Sequence, residues 1–211
     1  MQRDEMVTFI ANTLGNRADK NDRIVDMLNF VIRANLEKDP VHPWFLLSER
    51  STAVTTADEP RLPVPTDWIQ DWEFGCLWRY DATADPIDKR LVKDDYNALK
   101  VRYTTPGEPS HFAMAGGYYV LFPIPDAVYT IKQKYYKQAT LFVTGAAGDA
   151  PTATNVWSLN AADWLMGVAG MKMAMEMRDE KALQMFAGMK QSGREDVVRR
   201  SVEMEEIGTE R

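Results

Sequence analysis

A chain of 211 residues, 45% hydrophobic and 27% charged, is long enough to bury a core and reads as one domain, or one domain with a large insertion. The net charge of −6 argues against bulk affinity for nucleic acid, and the single cysteine, Cys76, excludes an internal disulfide. No apolar run approaches the ~20 residues a membrane helix needs, and the charged start Met1-Gln-Arg-Asp-Glu-Met6 is not a signal peptide, so the expectation is a soluble protein made in the cytoplasm, with no membrane partner.

Helices open the chain. Met6, Val7, Phe9, Ile10 and Leu14 recur at helical spacing over residues 4–14, and Gly15-Asn16 supplies the stop. A longer helix is predicted over Asp19–Lys38. Ile24, Leu28, Val31 and Asn35 mark its stripe, flanked by Val25, Met27, Ile32 and Leu36, and Asp19, Asn21 and Asp22 are candidate N-caps. Asp39-Pro40 ends it, because a residue before proline is pushed out of the α region.

Residues 41–62 change character. His42–Leu47 reads as extended, the β-branched run Ser51–Thr56 as a strand, and Asp58-Glu59-Pro60 as a turn. Prolines stiffen Leu62–Trp68; Ile69, Trp72 and Phe74 follow on a short helical or extended piece. Gly75–Tyr80 is a predicted strand, Asp81–Pro86 a polar turn and Ile87–Leu91 a short extended piece. Asp94–Leu99 can make one or two helical turns with Tyr96 and Leu99 on one side, before a loop over Thr104–Ser110. His111–Met114 and Tyr118–Phe122 are strands joined at Gly116-Gly117, a tight hairpin turn. Tyr118–Phe122 and Val128–Tyr136 read as a strand pair joined by a Pro-Asp turn; Pro123 and Pro125 take the chain out of the sheet between them. Along the second strand Thr130, Lys132 and Lys134 alternate with Ile131, Gln133 and Tyr135, and one of each adjacent tyrosine pair is expected inside.

Gly145–Thr154 is a small-residue loop, and helices then return. Asn160, with Asp163 three residues on, resembles an N-cap for a Met-rich helix that ends near Arg178. A second helix over Glu180–Met189 carries Leu183, Phe186 and Met189; the charged stretch 191–206, with Val197, Val198, Val202 and Ile207 as a thin stripe, is expected to be a helix fraying into a tail. The fold class predicted is α+β: a four-helix bundle from the N- and C-terminal helices (1–43 and 155–211, the latter with the C-terminal tail) and a β-strand-rich antiparallel insert at 44–154.

Chemistry is sparse. His42 and His111 have no metal-ligand spacing, so each reads as a structural histidine. Cys76 reads as a small buried hydrophobe. Gly145-Ala-Ala-Gly148 lacks the lysine of a phosphate loop, and Asp94-Asp95 and Glu203–Glu206 read as solvated faces. The methionines from Met166 to Met189 read as helix core, with a subunit contact as the rival. The aromatics Trp44, Phe45, Trp68, Trp72, Phe74, Trp78 and Tyr80 read as the packing of the insert, with a carbohydrate platform as the rival. No catalytic residue, cofactor or metal is predicted.

The order of these pieces carries a resemblance. Ile24-Val-Asp-Met-Leu-Asn-Phe-Val-Ile32 is followed by Leu62-Pro-Val-Pro-Thr-Asp-Trp68, then by Tyr118-Tyr-Val-Leu-Phe-Pro-Ile-Pro-Asp126 running into Tyr129-Thr-Ile-Lys-Gln-Lys-Tyr-Tyr136, and last by Trp157-Ser-Leu-Asn-Ala-Ala-Asp-Trp-Leu165. Over residues 20–190 this resembles the adaptor, or head-to-tail connector, proteins of tailed bacteriophages, in particular the adaptor and tail-tubular type of short-tailed phages. The resemblance implies a structural virion protein of the phage neck. It implies a homo-oligomeric ring, usually a dodecamer, that lies beneath the portal protein, extends the DNA ejection channel and docks the tail nozzle or fibres. It also implies a C-terminal end that reaches the portal, which at the level of a segment nominates Arg194, Val197, Val198, Arg199, Arg200, Val202, Met204 and Ile207. An acidic chain suits a channel through which DNA passes without specific binding, since phosphate contacts would hold it. The readings set against this are a tail-associated carbohydrate- or receptor-binding module and, behind it, a hydrolase.

Overall fold

The computed structural model describes residues 1–40, 42–48, 51–72, 76–80, 89–142 and 154–209, with side chains described through residue 204. It is α+β, and it divides into two units: Met1–Leu46 with Gln138–Arg211, and Leu47–Lys137.

The first unit is helical. Its opening helix α1 (Arg3–Thr13) buries Met6, Val7 and Ile10, and stops where Gly15 and Asn16 both take positive φ. A short 3-10 turn at Ala18–Lys20 then leads into α2 (Asn21–Val31). The candidate caps are not used. Lys20 occupies the N-cap without a side-chain bond, and Asp19 pairs with Arg17 Nε at 2.8 Å, which holds its carboxyl down at about 2. Beyond Val31 the helix widens into a π turn over Ile32–Leu36, closed by Glu37 N–H donating to Ile32 O. The extra residue rotates the stripe by one position, so Leu36 is buried and Asn35, placed on the stripe from an even 3.6 period, is exposed. Trp44–Leu46 is a 3-10 turn rather than extended chain.

The remaining helices are α4 (Val156–Asn160), α5 (Ala162–Met177) and α6 (Glu180–Thr209). The capping box belongs to Asn155 and Ser158, which bond each other's backbone N–H at 2.9 Å; Asn160 instead closes α4, donating to Val156 O. Arg178 in the left-handed region ends α5, and Asp179 accepts from Ala182 N–H to start α6. The helix predicted to Met189 and the charged stretch behind it are one continuous helix, α6. Its inward row of Ala182, Phe186 and Gly193 runs along α5, whose Gly167 and Gly170 allow close approach; Val197 and Ser201 continue the buried row, and Ser201 Oγ accepts from Trp44 N–H at 3.3 Å. An added Cβ on Gly167 would stand 2.3 Å from Lys190 N, and one on Gly193 2.4 Å from Trp164 N. Both α1 and α2 also pack on α5. Phe45, Trp157 and Trp164 stack edge-to-face at 5.0 and 5.6 Å, so Phe45 serves the helical unit and not the insert.

The second unit is β-rich, with strands β1 (Ser51–Val54), β2 (Arg61–Pro63), β3 (Trp68–Asp71), β4 (Leu77–Tyr80), β5 (Lys89–Arg90), β6 (Val92–Lys93), β7 (His111–Ala115), β8 (Tyr118–Phe122), β9 (Thr130–Gln133) and β10 (Tyr135–Lys137). They form sheets ordered β1-β9-β4-β5, β2-β8-β7-β6 and β10-β3. Among the described residues the strand pairs are antiparallel except β6–β7, which runs parallel. Gly116 and Gly117, both at positive φ, make the tight β7–β8 hairpin predicted. Helix α3 (Tyr96–Arg102) starts on Asp95, whose carboxylate accepts from Asn97 and Ala98 N–H at 3.0 Å.

The Tyr118–Tyr136 strand pair is corrected. Strand β8 pairs with β7 and β2, whereas β9 pairs with β1 and β4 in another sheet, and β10 pairs with β3. Pro123 and Pro125, which cannot donate to a ladder, carry the chain from one sheet to the next. The predicted alternation holds, with Ile131, Gln133 and Tyr135 buried between half-buried Thr130, Lys132 and Lys134. Tyr118 is exposed and Tyr119 buried, as expected for neighbours on a strand. Tyr135 and Tyr136 are both buried, because the register shifts by a residue after Tyr136 and Tyr136 bridges Leu47.

Candidate functional site

In the β-rich unit the chemistry-bearing side chains converge on Asp71, at the end of β3. Tyr119 Oη donates to its Oδ1 at 2.8 Å and Trp68 Nε1 at 3.1 Å, and Lys93 Nζ donates to Oδ2 at 2.8 Å. Beside it opens a cavity of about 420 Å³ walled by Trp68, Gln70, Trp72, Cys76, Arg90 and Lys93. A hydrolase would need an activated nucleophile here. Burial, and then the Asp71 charge, push the Cys76 thiol up to about 12, which favours the unreactive protonated form. Burial and its bond to Asp71 push the Tyr119 phenol up as well. Donors already occupy both Asp71 oxygens, so the carboxylate serves as a structural anchor for β3, β6 and β8.

The other candidates from sequence are scattered. His111 Nδ1 meets two hydroxyls, Tyr103 Oη and Ser110 Oγ, each at 2.9 Å, an arrangement that supplies no acid to orient it. Asp95 is a helix cap, Asp94 pairs with Arg102 at 3.7 Å, and Glu203 pairs with Arg199 at 3.5 Å. Gly145–Gly148 and Phe74 lie outside the described residues. Among the described residues, no group of three His, Cys, Asp or Glu could hold a metal ion, and no helix is long and apolar enough to cross a membrane. Trp78 is buried, while Trp68 and Trp72 are half-buried and engaged internally, Trp68 on Asp71 and Trp72 beneath Lys134 Nζ at 3.7 Å.

The residues nominated on the C-terminal segment separate into two sets. Arg194 forks onto Asp39 at 3.0 and 3.2 Å and lies 6.0 Å from the Trp164 ring; the Asp39 bond raises its pKa. Val197 is buried, Val198 half-buried, and Arg200 donates to Asn160 O at 2.7 Å and pairs with Asp196. Their contacts lie inside the helical unit. Arg199, Val202 and Met204 are exposed, with Val202 at 51% and Met204 at 47%; the Ile207 side chain lies outside the described residues. On a helix at roughly 100° per residue, Val202 and Met204 stand about 200° apart and so face different surroundings.

A second surface went unread in the sequence. Between α2 and α5 lies an open groove of about 510 Å³, with Met27, Phe30 and Met175 as its apolar lining. Phe30 is 54% and Met175 55% exposed, Lys172 Nζ sits 5.4 Å from the Phe30 ring, and Arg23 bonds Glu176 at 2.8 Å on the rim. Phe30 falls off the Ile24–Leu28–Val31 stripe, and Met175 follows buried Met173 and Ala174, so the signal was a large apolar residue out of phase with its own helix. Met166 and Met173 are core, as read, whereas Met175 and Met185 are not.

Among curated proteins none matches the chain. A family model does: that of the SU10 adaptor protein matches residues 1–206, which take in every strand and nearly all of α6. The match spans both the helical and the β-rich unit, and the chain therefore belongs to the SU10 adaptor protein family of phage head-to-tail adaptors.

Proposed function

We propose that this protein assembles into a ring, a dodecamer, that joins the portal to the tail nozzle or fibres and extends the channel through which DNA is ejected. The family match across residues 1–206 carries the reading. In it α1, α2, α5 and α6 act as a four-helix bundle that packs the ring, while the β-rich unit presents loops toward the tail. DNA slides through without specific binding, in keeping with the net charge of −6. The protein is made in the host cytoplasm and ends in the virion neck.

Portal contact falls to the end of α6, where Met204 and Ile207 flank Glu205 and Glu206. Arg194, Val197, Val198 and Arg200 support that end from within the helical unit, through Asp39, the buried row of α6 and Asn160 O. The deciding measurement is the mass of the particle formed when the purified chain meets the portal ring of the same phage, with symmetry read by electron microscopy. The expected product is one twelvefold ring per portal. Absence of both a ring and co-sedimentation would overturn the reading; a monomer without portal would not, because assembly can wait for its template.

A further inference from the structure

The groove between α2 and α5 has a match elsewhere on the same chain. Along α5 its wall presents Lys172, then Met175 and Glu176: a cation, an apolar side chain three residues on and an acid four residues on. The exposed face of α6 presents Arg199, Val202 and Glu203 in the same spacing. Residues at i, i+3 and i+4 share one helix face, so each helix shows a cation and a carboxylate one turn apart with an apolar residue beside them. Laid parallel, the two triplets would set cation on cation and acid on acid. Laid antiparallel, Lys172 meets Glu203, Glu176 meets Arg199, and Val202 enters the space between Met175 and Phe30.

We infer that the α2–α5 groove of one copy receives the Arg199–Glu203 face of α6 from a second copy, the two helices running antiparallel. The contact cannot close within one molecule. Gly170 opposite Phe186, Gly167 opposite Lys190 and Gly193 opposite Trp164 fix the register of α5 on α6. That register puts Met175 level with the first turn of α6, so Val202 of the same chain stands roughly 30 Å farther along, at about 1.5 Å per residue. Two different surfaces of one chain that complement each other make a head-to-tail contact, the kind that generates rings. The pairs on each face are exposed and readily exchange partners: Arg23 with Glu176, Arg199 with Asp196 and Glu203. Docking covers Phe30, Met175 and Val202, the apolar groups that give the contact its affinity. The portal-facing Met204 lies on another side of α6 and stays available. The inference rests on the ring reading and supplies its subunit contact.

The test is cysteine cross-linking of the full chain. The native Cys76 is 2% exposed and stays silent, so Met175→Cys and Val202→Cys chains can be prepared separately, mixed and oxidised, with and without portal. The expected result is a covalent dimer in the mixture and little from either variant alone. Lys172→Glu should lower the yield about fivefold, and Glu203→Lys on the partner should restore it. Dimers from Met175→Cys alone would mean that the groove meets its own copy across a twofold axis, which overturns the proposal. Rings on the portal without the mixed cross-link overturn it too, and leave the ring reading standing. A mixed cross-link without rings keeps the contact and removes the ring. Monomers under every condition remove both.

Discussion

Cys76 shows how far a single residue can be read. A lone cysteine between Gly75 and Leu77 reads as a small hydrophobe, and it is one, packed with Leu62, Phe112 and Tyr119. Its setting beside Asp71 was beyond the sequence: the Tyr119–Asp71 bond spans 48 positions and depends on β3 and β8 being brought together by strands that carry no local mark of their partners. The setting has consequences. With the thiol pushed up to about 12, about one molecule in 10⁴ is thiolate at pH 8, against roughly a quarter for an ordinary cysteine, so alkylation by iodoacetamide should be about a thousandfold slower than in the urea-unfolded chain. Labelling at the unfolded rate would refute the burial. Stability should follow the same groups. Burial and a bond to Asp67 push Tyr135 up to about 12, and Tyr129 reaches about 12 through its bond to Asp126. In each case the folded state keeps a proton that the unfolded chain releases, from about pH 8 upward at Cys76 and from about pH 9 upward at the two tyrosines. The stabilisation is therefore whole below about pH 7 and is lost as pH rises toward 12. The urea midpoint should fall across that window, and less steeply in Cys76→Ala.

At the scale of the element, the α5–α6 pair is decided by glycines that look like weaknesses. A glycine inside a helix costs about 0.5–1 kcal/mol relative to alanine, and Gly167, Gly170, Gly188 and Gly193 all sit in helix interiors. Three of them face a neighbour too close for a methyl group, whereas Gly188 faces nothing within 4 Å. The same substitution should therefore change sign along one helix. Gly167→Ala and Gly193→Ala meet backbone, which cannot turn aside, and should destabilise by about 1–3 kcal/mol each. Gly170→Ala meets the inner edge of the fully buried Phe186 ring and should destabilise as well. Gly188→Ala should stabilise by about 0.5–1 kcal/mol. Urea denaturation of the four variants checks the order, and an equal loss at Gly188 and Gly193 would contradict the packing. Periodicity revealed the Met-rich stripe of α5 but could not say which small residues meet a partner, because that depends on the register between helices. Period reading also failed at the π turn: Asn35 sits on an even 3.6-residue stripe, and one extra residue in a single turn sends Leu36 inward instead. Hairpin chemistry was local and legible, since Gly116-Gly117 encodes its own turn; the Pro123–Pro125 link was not, because prolines say that a ladder stops and not where the next strand goes.

At the scale of the molecule, the β-rich unit is an excursion whose two ends meet. Leu47 bridges Tyr136, Ser48 N–H donates to Tyr135 O at 2.8 Å, and Tyr135 N–H donates to Ser48 Oγ at 3.0 Å. The core of the helical unit, from Met6 and Ile10 through Ile24 and Leu28 to Trp157, Trp164 and Phe186, lies wholly outside residues 47–137. Closing the gap between Leu46 and Gln138 with a linker of about five glycines and serines replaces a long excursion by a short loop, and closure entropy changes only slowly with loop length. The shortened chain should therefore keep a helical circular-dichroism spectrum and a cooperative thermal transition. If function divides as proposed, it should also keep what the helices do. Portal co-sedimentation should survive, because Met204 and Ile207 remain, and so should the Met175–Val202 cross-link, whose two faces both belong to the helical unit. Attachment of the nozzle or fibres should be lost. A shortened chain that aggregates would make the β-rich unit part of the folding core, against the separation of the two cores. One that folds but no longer meets the portal would move the portal contact into the insert and out of α6.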